Sequence, residues 1–153
     1  MQTTIQGFHH DEDGQWVAEL SCGHTQHMRH QPPWQDRAWV QSEVERTQRI
    51  GAAIDCTLCD MPVLPADVCE YKRTPSFTEH SVPAGLLSQH QTKAGVWARI
   101  VVTSGRLEYS FGEPRRVFML APDRSGIVLP QVLHQVTPRG PVVFHVEFLR
   151  KPG

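Results

Sequence analysis

One short segment of the chain concentrates residue types that bind transition metals. Residues 21–30 contain one cysteine and three histidines, a density that the packing of an apolar core does not require. Cys22 and His24 flank a glycine, and glycine allows the positive-φ backbone of a tight bend at which both side chains can turn toward one ion. The segment therefore predicts half of a metal site.

A second pair of thiols supplies the ligands that this segment lacks. Structural zinc sites are closed tetrahedra of cysteine and histidine, and a Cys-x-x-Cys pair follows further along the chain. We predict a zinc site formed by Cys22, His24, Cys56 and Cys59. The sequence leaves open which of His24, His27 and His30 binds the ion, and His27 is the reserve ligand. The alternative is a set of surface histidines beside unrelated buried cysteines.

The chain shows no signal for export or for a membrane. It has no apolar run long enough to span a bilayer, and residues 1–10 lack a charged and then apolar leader. We therefore predict a cytoplasmic protein with no membrane partner. In a reducing cytosol Cys-x-x-Cys indicates metal binding or redox chemistry before a structural disulfide, and the nearby histidines favour metal.

The formal net charge of −1 conceals two parts of opposite charge. Residues 1–66 hold four arginines against nine acidic residues, whereas residues 67–153 hold eleven basic against seven acidic residues. Nucleic-acid binding normally requires a basic face, so an acidic zinc module argues against a nucleic-acid partner. Residues 61–67 have linker composition with two prolines. We predict domains at residues 1–66 and 67–153.

The predicted strands of the first domain would position the zinc ligand Cys22. Residues 5–8 and 16–20 have strand character and are separated by a turn at residues 11–14. Alternate residues of the second strand are apolar and share one face, and Cys22 continues that pattern.

A predicted helix would return the chain to the second ligand pair. Ser42 with Glu45 forms a capping box, and Gly51 ends the helix shortly before Cys56. Together these elements predict a small α+β zinc-binding domain.

The second domain shows short β segments separated by turn residues. Residues 96–103 and 106–111 predict a hairpin around Ser104 and Gly105. Further strands are predicted at residues 117–120, 126–129, 134–137 and 142–149. Roughly seven short strands predict a cupin-like jelly-roll β-barrel, and the whole chain is predicted to be mainly β.

Three residues of this barrel have the chemistry of an open metal site. His90, His134 and Glu147 would supply two imidazoles and a carboxylate from separate strands, a ligand set that leaves positions open on a divalent ion such as Zn, Fe, Ni or Mn. His145 shares a strand face with Glu147 and is the reserve ligand. The alternative is that His134 caps a turn and Glu147 pairs with an arginine such as Arg99.

The order of Gly126, Pro130 and His134 resembles the second motif of cupins. The spacings between these residues are short, however, and the His-x-His pair and the glutamate of the first motif are absent. The segment at residues 83–150, with Pro-Ala-Gly-Leu-Leu, Leu-Pro-Gln-Val-Leu-His and Val-Glu-Phe, resembles the cupin-like family named after tellurite resistance, the TehB-related and YeaR-like proteins. Residues 7–16, the Cys-Gly-His turn and the Cys-x-x-Cys pair resemble a small bacterial domain family with no assigned function.

The C-terminal resemblance implies a bacterial stress-associated protein, because YeaR-like members are linked to the response to nitrate and nitric oxide. It does not imply a methyltransferase, since the chain has no strand followed by Gly-x-Gly-x-x-Gly that could bind the cofactor.

Two functions of different classes follow, and the sequence favours the first. The first is a metal-binding cupin that binds or senses a small oxyanion or reactive species, with Lys93 or Arg99 contacting the anion. The second is a non-haem metal-dependent enzyme that activates dioxygen or polarises a bound substrate. A further alternative is an interaction module whose barrel carries no metal. A homo-oligomer is compatible with each of them.

Overall fold

The computed structural model describes residues 1–153. The chain divides into an N-terminal unit, Met1–Asp60, and a C-terminal unit, Met61–Gly153. This division lies where the proline-containing linker composition begins, whereas the sequence-based boundary was drawn after residue 66. Both units consist mainly of antiparallel strands, which confirms the prediction of a mainly β protein. None of the helices has the length and apolar composition that crossing a bilayer requires.

A four-stranded antiparallel sheet and one helix form the N-terminal unit. In chain order the elements are β1 (Gln2–His10), β2 (Trp16–Leu20), β3 (Thr25–His27), α1 (Glu43–Arg49) and β4 (Ala53–Asp55). The strands lie side by side in the order β3, β2, β1, β4, so that β1 is flanked by β2 and β4.

The core of this unit is small. Its buried members are Ile5, Ala18, Leu20, Met28, Val40 and Cys56. Helix α1 buries none of its residues, so it is attached through other contacts. The Ser42 side chain accepts a hydrogen bond from the Glu45 backbone N–H, which confirms the predicted cap, and the Arg46 guanidinium lies 3.7 Å from the Trp16 ring centroid.

Two long paired strands organise the C-terminal unit. The elements are β5 (Cys69–Arg73), β6 (Phe77–Thr78), α2 (Ala84–Leu87), β7 (Trp97–Phe111), β8 (Arg116–Leu120), β9 (Gly126–Val128) and β10 (His134–Arg150). The two long strands are β7 and β10. Strands β5 and β6 pair with the outer edge of β10, and β8 and β9 pair with the outer edge of β7.

The predicted hairpin at Ser104 and Gly105 is wrong, because β7 continues through both residues. Gly105 adopts φ +81° and lies opposite Val142, where the pairing of β7 with β10 shifts register. A Cβ atom at Gly105 would overlap the backbone carbonyl oxygen of Pro141. The glycine therefore allows two strands to bend and approach closely, which a sequence pattern does not distinguish from a chain reversal.

The same bend explains a second difference. Residues 134–137 and 142–149 were predicted as separate strands, and both belong to β10. The bent ribbon curls around a core whose largest fully buried members are Tyr109, Phe144, Leu107 and Leu120.

Candidate functional sites

The structure brings the four first-choice zinc ligands together. The ligand atoms of Cys22, His24, Cys56 and Cys59 all lie within 4.8 Å of one another. His24 Nδ1 lies 3.5, 3.4 and 3.3 Å from the sulfur atoms of Cys22, Cys56 and Cys59. Four ligands at roughly 2.0–2.3 Å from one zinc ion give tetrahedral edges of about 3.5 Å. The donor set and its spacing therefore fit a Cys3His zinc site.

Sheet order explains why residues so far apart in sequence meet. Strands β2 and β4 lie on opposite sides of β1 and both run antiparallel to it, so their C-terminal ends lie at the same end of the sheet. Cys22 follows β2 and Cys56 follows β4.

Each ligand pair is held by its own turn. Leu20 accepts a hydrogen bond from the Gly23 N–H at 2.9 Å and donates one to the His24 carbonyl at 3.0 Å. Gly23 has φ +91°, the conformation that the predicted bend requires. The Cys59 N–H donates to the Cys56 carbonyl at 3.2 Å and closes a single 3-10 turn.

The electrostatics of two of the thiols favour a bound cation. Burial opposes ionisation of Cys22, yet hydrogen bonds from the His24 backbone and from neighbouring side chains together lower the pKa of its thiol to about 6. Burial, followed by the neighbouring Cys22 and Cys56, raises the pKa of Cys59 to about 12. The surroundings thus favour a thiolate at Cys22 and oppose a second thiolate at Cys59. A divalent ion would offset the repulsion between the two negative charges.

The other two histidines of the first segment point to different partners. His27 Nδ1 lies 3.3 Å from the Asp11 carboxylate. His30 Nδ1 accepts a hydrogen bond from the Arg37 backbone N–H at 2.9 Å. Of the three candidate histidines, only His24 therefore lies with the three cysteines.

A cavity of about 370 Å³ lies in the C-terminal unit, with apolar and polar parts. The apolar part is formed chiefly by alternate residues of the two long strands, namely Ala98, Ile100, Val136, Phe144, Val146 and Phe148. The polar part comprises Lys72, His90, Gln91, Thr92, Lys93 and His134. No aspartate or glutamate lines the cavity, so its fixed side-chain charges are positive.

Two of the predicted barrel ligands meet at this cavity. His90 and His134 exchange both backbone hydrogen bonds, at 3.0 and 2.8 Å, and their ring centroids lie 4.0 Å apart. Each ring donates its Nδ1 proton to a backbone carbonyl, of Ser88 for His90 and of Val132 for His134. Burial lowers the pKa of His134 to about 4, so this ring is neutral at pH 7.

Glu147 and His145 do not join these histidines. Successive side chains of a strand point to opposite faces, and Phe144, Val146 and Phe148 are the residues of this part of β10 that line the cavity. Glu147 instead accepts a hydrogen bond from Arg99 Nη1 at 2.9 Å. The predicted set of His90, His134 and Glu147 is therefore not brought together, and the alternative pairing of Glu147 with Arg99 is the one observed.

The two residues predicted to contact an anion lie in different places. Lys93 lines the cavity and Arg99 does not. Sequence reasoning missed Lys72, because β5 reads Cys-Glu-Tyr-Lys-Arg and carries no alternation of apolar and polar residues that would predict a strand.

Comparisons with known families divide the chain in two. Residues 72–146 match the family described as TehB-like domain, which confirms the TehB-related part of the C-terminal resemblance. Residues 6–63 match DUF3565, a protein family of unknown function. None of the curated proteins matches the chain.

Two solved structures are similar to the C-terminal part in fold. TehB from Haemophilus influenzae is 24% identical with a TM-score of 0.52, covering 56% of this chain and 32% of that protein. A structural-genomics protein from E. coli strain K12 is 20% identical with a TM-score of 0.55, covering 61% of this chain and 100% of that protein. The chain thus spans about a third of the TehB length, and at these identities the likeness shows the fold alone.

Proposed function

We propose that the chain combines a zinc-stabilised module with a cupin-like unit that binds a small anion, in keeping with a stress-related role of the tellurite-resistance type. The observation that carries this proposal is the cavity lining, which holds two lysines and two histidines and no carboxylate. An excess of positive charge in a concave site attracts and retains anions.

The zinc part of the proposal is supported by geometry and by the size of the core. The Cys3His cluster has the donor types and the spacing of a closed structural site. Only six buried residues form the central apolar cluster of the N-terminal unit. Small domains of this kind commonly depend on a metal, because binding free energy becomes folding free energy. Zinc there would supply stability rather than catalysis.

The anion part is supported by the loop that carries Lys93. The Thr92 hydroxyl donates a hydrogen bond to the Val96 carbonyl at 2.7 Å, and the Val96 N–H donates to the Lys93 carbonyl at 3.1 Å. The Gln131 N–H also donates to the Thr92 carbonyl at 3.2 Å. These bonds fix the backbone on both sides of Lys93, so the ammonium group is presented from an ordered loop.

The family match supports the cupin-like assignment, and the position of Glu147 supports the binding role. The match to the TehB-like family covers the strands that line most of the cavity. Binding is favoured over the non-haem enzyme because the carboxylate required for that metal site lies on the other face of β10. Lys72, Lys93, His90 and His134 are the residues proposed to contact the anion.

Anion titration of the full chain tests this function. We expect sulfate, phosphate or tellurite to shift the backbone amide signals of residues 90–93 and 134, and Lys93→Gln to weaken the affinity by roughly tenfold. Lys151→Gln is the matched control, because Lys151 is exposed and pairs with Asp67. If neither these anions nor acetate and benzoate shift the cavity amides, the anion-binding function is wrong and the interaction module stands.

Elemental analysis tests the zinc module separately. The full chain purified without added metal should contain about one zinc ion. A chain that is folded in residues 1–60, with dispersed amide signals, after a chelator has removed all metal would contradict the structural role of zinc.

A further inference from the structure

The cavity is larger than a simple inorganic anion needs. Its volume is about 370 Å³, and one water molecule takes a share of roughly 30 Å³, so the space corresponds to about a dozen waters. Sulfate, phosphate and tellurite have only four or five heavy atoms. The volume lies instead near the lower end of the roughly 300–1,000 Å³ typical of sites for small organic molecules.

The lining of the cavity is divided between two chemistries. Side chains from β7, β9 and β10 form an apolar surface that includes Ile100, Val128, Phe144 and Val146, all of them buried. The polar side chains come from β5, from the loop at residues 90–93 and from the start of β10. A hydrated inorganic anion gains nothing from the apolar surface and would lose water against it. An apolar group would be stabilised there.

We infer that the anion bound in this cavity is the acidic end of a small amphipathic molecule, a carboxylate attached to an apolar body about the size of one aromatic ring. This inference rests on the proposed anion-binding function and specifies its ligand class. The apolar body lies against the partly exposed side chains of the apolar lining, which are Leu86, Val96 and Phe148. The carboxylate lies toward the polar side chains that include Lys93.

The histidine pair is consistent with a ligand of low charge. Both Nδ1 protons are directed to backbone carbonyls, so each ring turns its Nε2 atom away from those bonds. The buried His134 adds no positive charge at neutral pH. The lysines of the lining are Lys72 and Lys93, and either ammonium group can pair with the carboxylate of such a ligand.

A ligand series on the full wild-type chain tests this inference without depending on a variant that folds. The probes are benzoate, hexanoate, acetate, sulfate, benzyl alcohol and benzylamine, followed by calorimetry and by amide chemical shifts of the cavity residues. We expect benzoate and hexanoate to bind roughly tenfold or more tightly than acetate or sulfate. Benzyl alcohol should bind at least about tenfold more weakly than benzoate, and benzylamine should not bind.

A pair of variants tests whether Lys93 contacts the carboxylate of the ligand. Lys93→Gln should weaken benzoate by about tenfold and leave benzyl alcohol unchanged, while Lys151→Gln should change neither. Acetate or sulfate binding as tightly as benzoate would overturn the amphipathic ligand and leave the anion-binding function standing. Benzyl alcohol binding as tightly as benzoate would overturn the need for an acidic end. Absence of binding by every probe would refute both proposals.

Discussion

Glu147 and Arg99 face each other on adjacent strands, and the Glu147 carboxylate accepts a hydrogen bond from Arg99 Nη1 at 2.9 Å. The second carboxylate oxygen lies 2.9 Å from His145 Nε2 and 3.2 Å from Arg73 Nη2. Only 9% of the Glu147 side chain is exposed. This nearly buried carboxylate is therefore surrounded by two arginines and one histidine on the face of β10 away from the cavity.

Replacing Glu147 should affect stability and leave ligand binding unchanged. Glu147→Gln removes the charge that Arg99 and Arg73 share, and we expect the free energy of unfolding to fall by about 1–3 kcal/mol. Glu108→Gln is the control, since Glu108 pairs with the half-exposed Arg139 and such pairs contribute up to about 1 kcal/mol. Denaturant unfolding measures the difference. Loss of a second bound metal ion in Glu147→Gln would contradict our placement of this residue outside a metal site.

A second pair of variants distinguishes the candidate zinc ligand His24 from the neighbouring His27. His24→Ala should reduce the zinc content well below one ion per chain and broaden the amide signals of residues 1–60, because one of about four ligands is lost. His27→Ala removes only the contact with the Asp11 carboxylate, so it should keep its zinc and lose about 1 kcal/mol or less. A zinc-free His27→Ala chain would show that the wrong histidine has been assigned.

The bend of the long strands predicts a glycine requirement. Gly105→Ala forces a side chain into the left-handed region at φ +81° and against the Pro141 carbonyl. We expect a loss of about 3 kcal/mol or more, the sum of backbone strain and overlap. Gly140→Ala is matched in φ, at +90°, but a Cβ atom there meets nothing within 4 Å. It should cost only about 1–2 kcal/mol. Equal losses in thermal unfolding would refute the close approach.

A single glutamate makes the stability of the C-terminal unit sensitive to acid. The Val142 backbone N–H donates to Glu79 Oε2 at 2.7 Å, and this bond holds the pKa of Glu79 below its usual range. Because the folded pKa is lowered, the stabilisation is present above the unfolded pKa and is lost as the pH falls through the folded pKa. Glu79→Gln should therefore be less stable than the wild type at pH 7 and approach it at acidic pH.

Unfolding curves across the acidic range check this pH dependence, with Glu113→Gln as an exposed control in the same unit. An unchanged difference between the wild type and Glu79→Gln at every pH would exclude a contribution from ionisation.

The clustering of the four candidate zinc ligands could be predicted because their geometry is local. Cys22 and His24 share one glycine turn, and Cys56 and Cys59 share one 3-10 turn. The Ser42 cap is likewise set by residues within one turn of helix. The selection of His24 over His27 and His30 depended on the sheet, which single-sequence spacing does not contain.

The C-terminal site was harder to predict because its residues are joined by pairing over long distances. Gly105 and Gly140 have the sequence character of turns, yet each lies within a continuous strand. The side-chain alternation of Phe144, His145, Val146 and Glu147 did contain a usable signal, since a period of two assigns Glu147 to the face opposite the apolar residues. The alternation thus separates Glu147 from the side chains that face the cavity.

The pairing of β7 with β10 has a consequence for synthesis on the ribosome. Residues 97–111 find their main partner only at residues 134–150, whereas β1 and β2 pair across a short turn. Non-local pairing must wait for the partner and is slow to form. We expect the first 60 residues to acquire structure while the rest of the chain is still being translated, and β7 to keep an uncovered edge until residue 150 has emerged. During that interval the nascent C-terminal unit is open to aggregation and to chaperone binding.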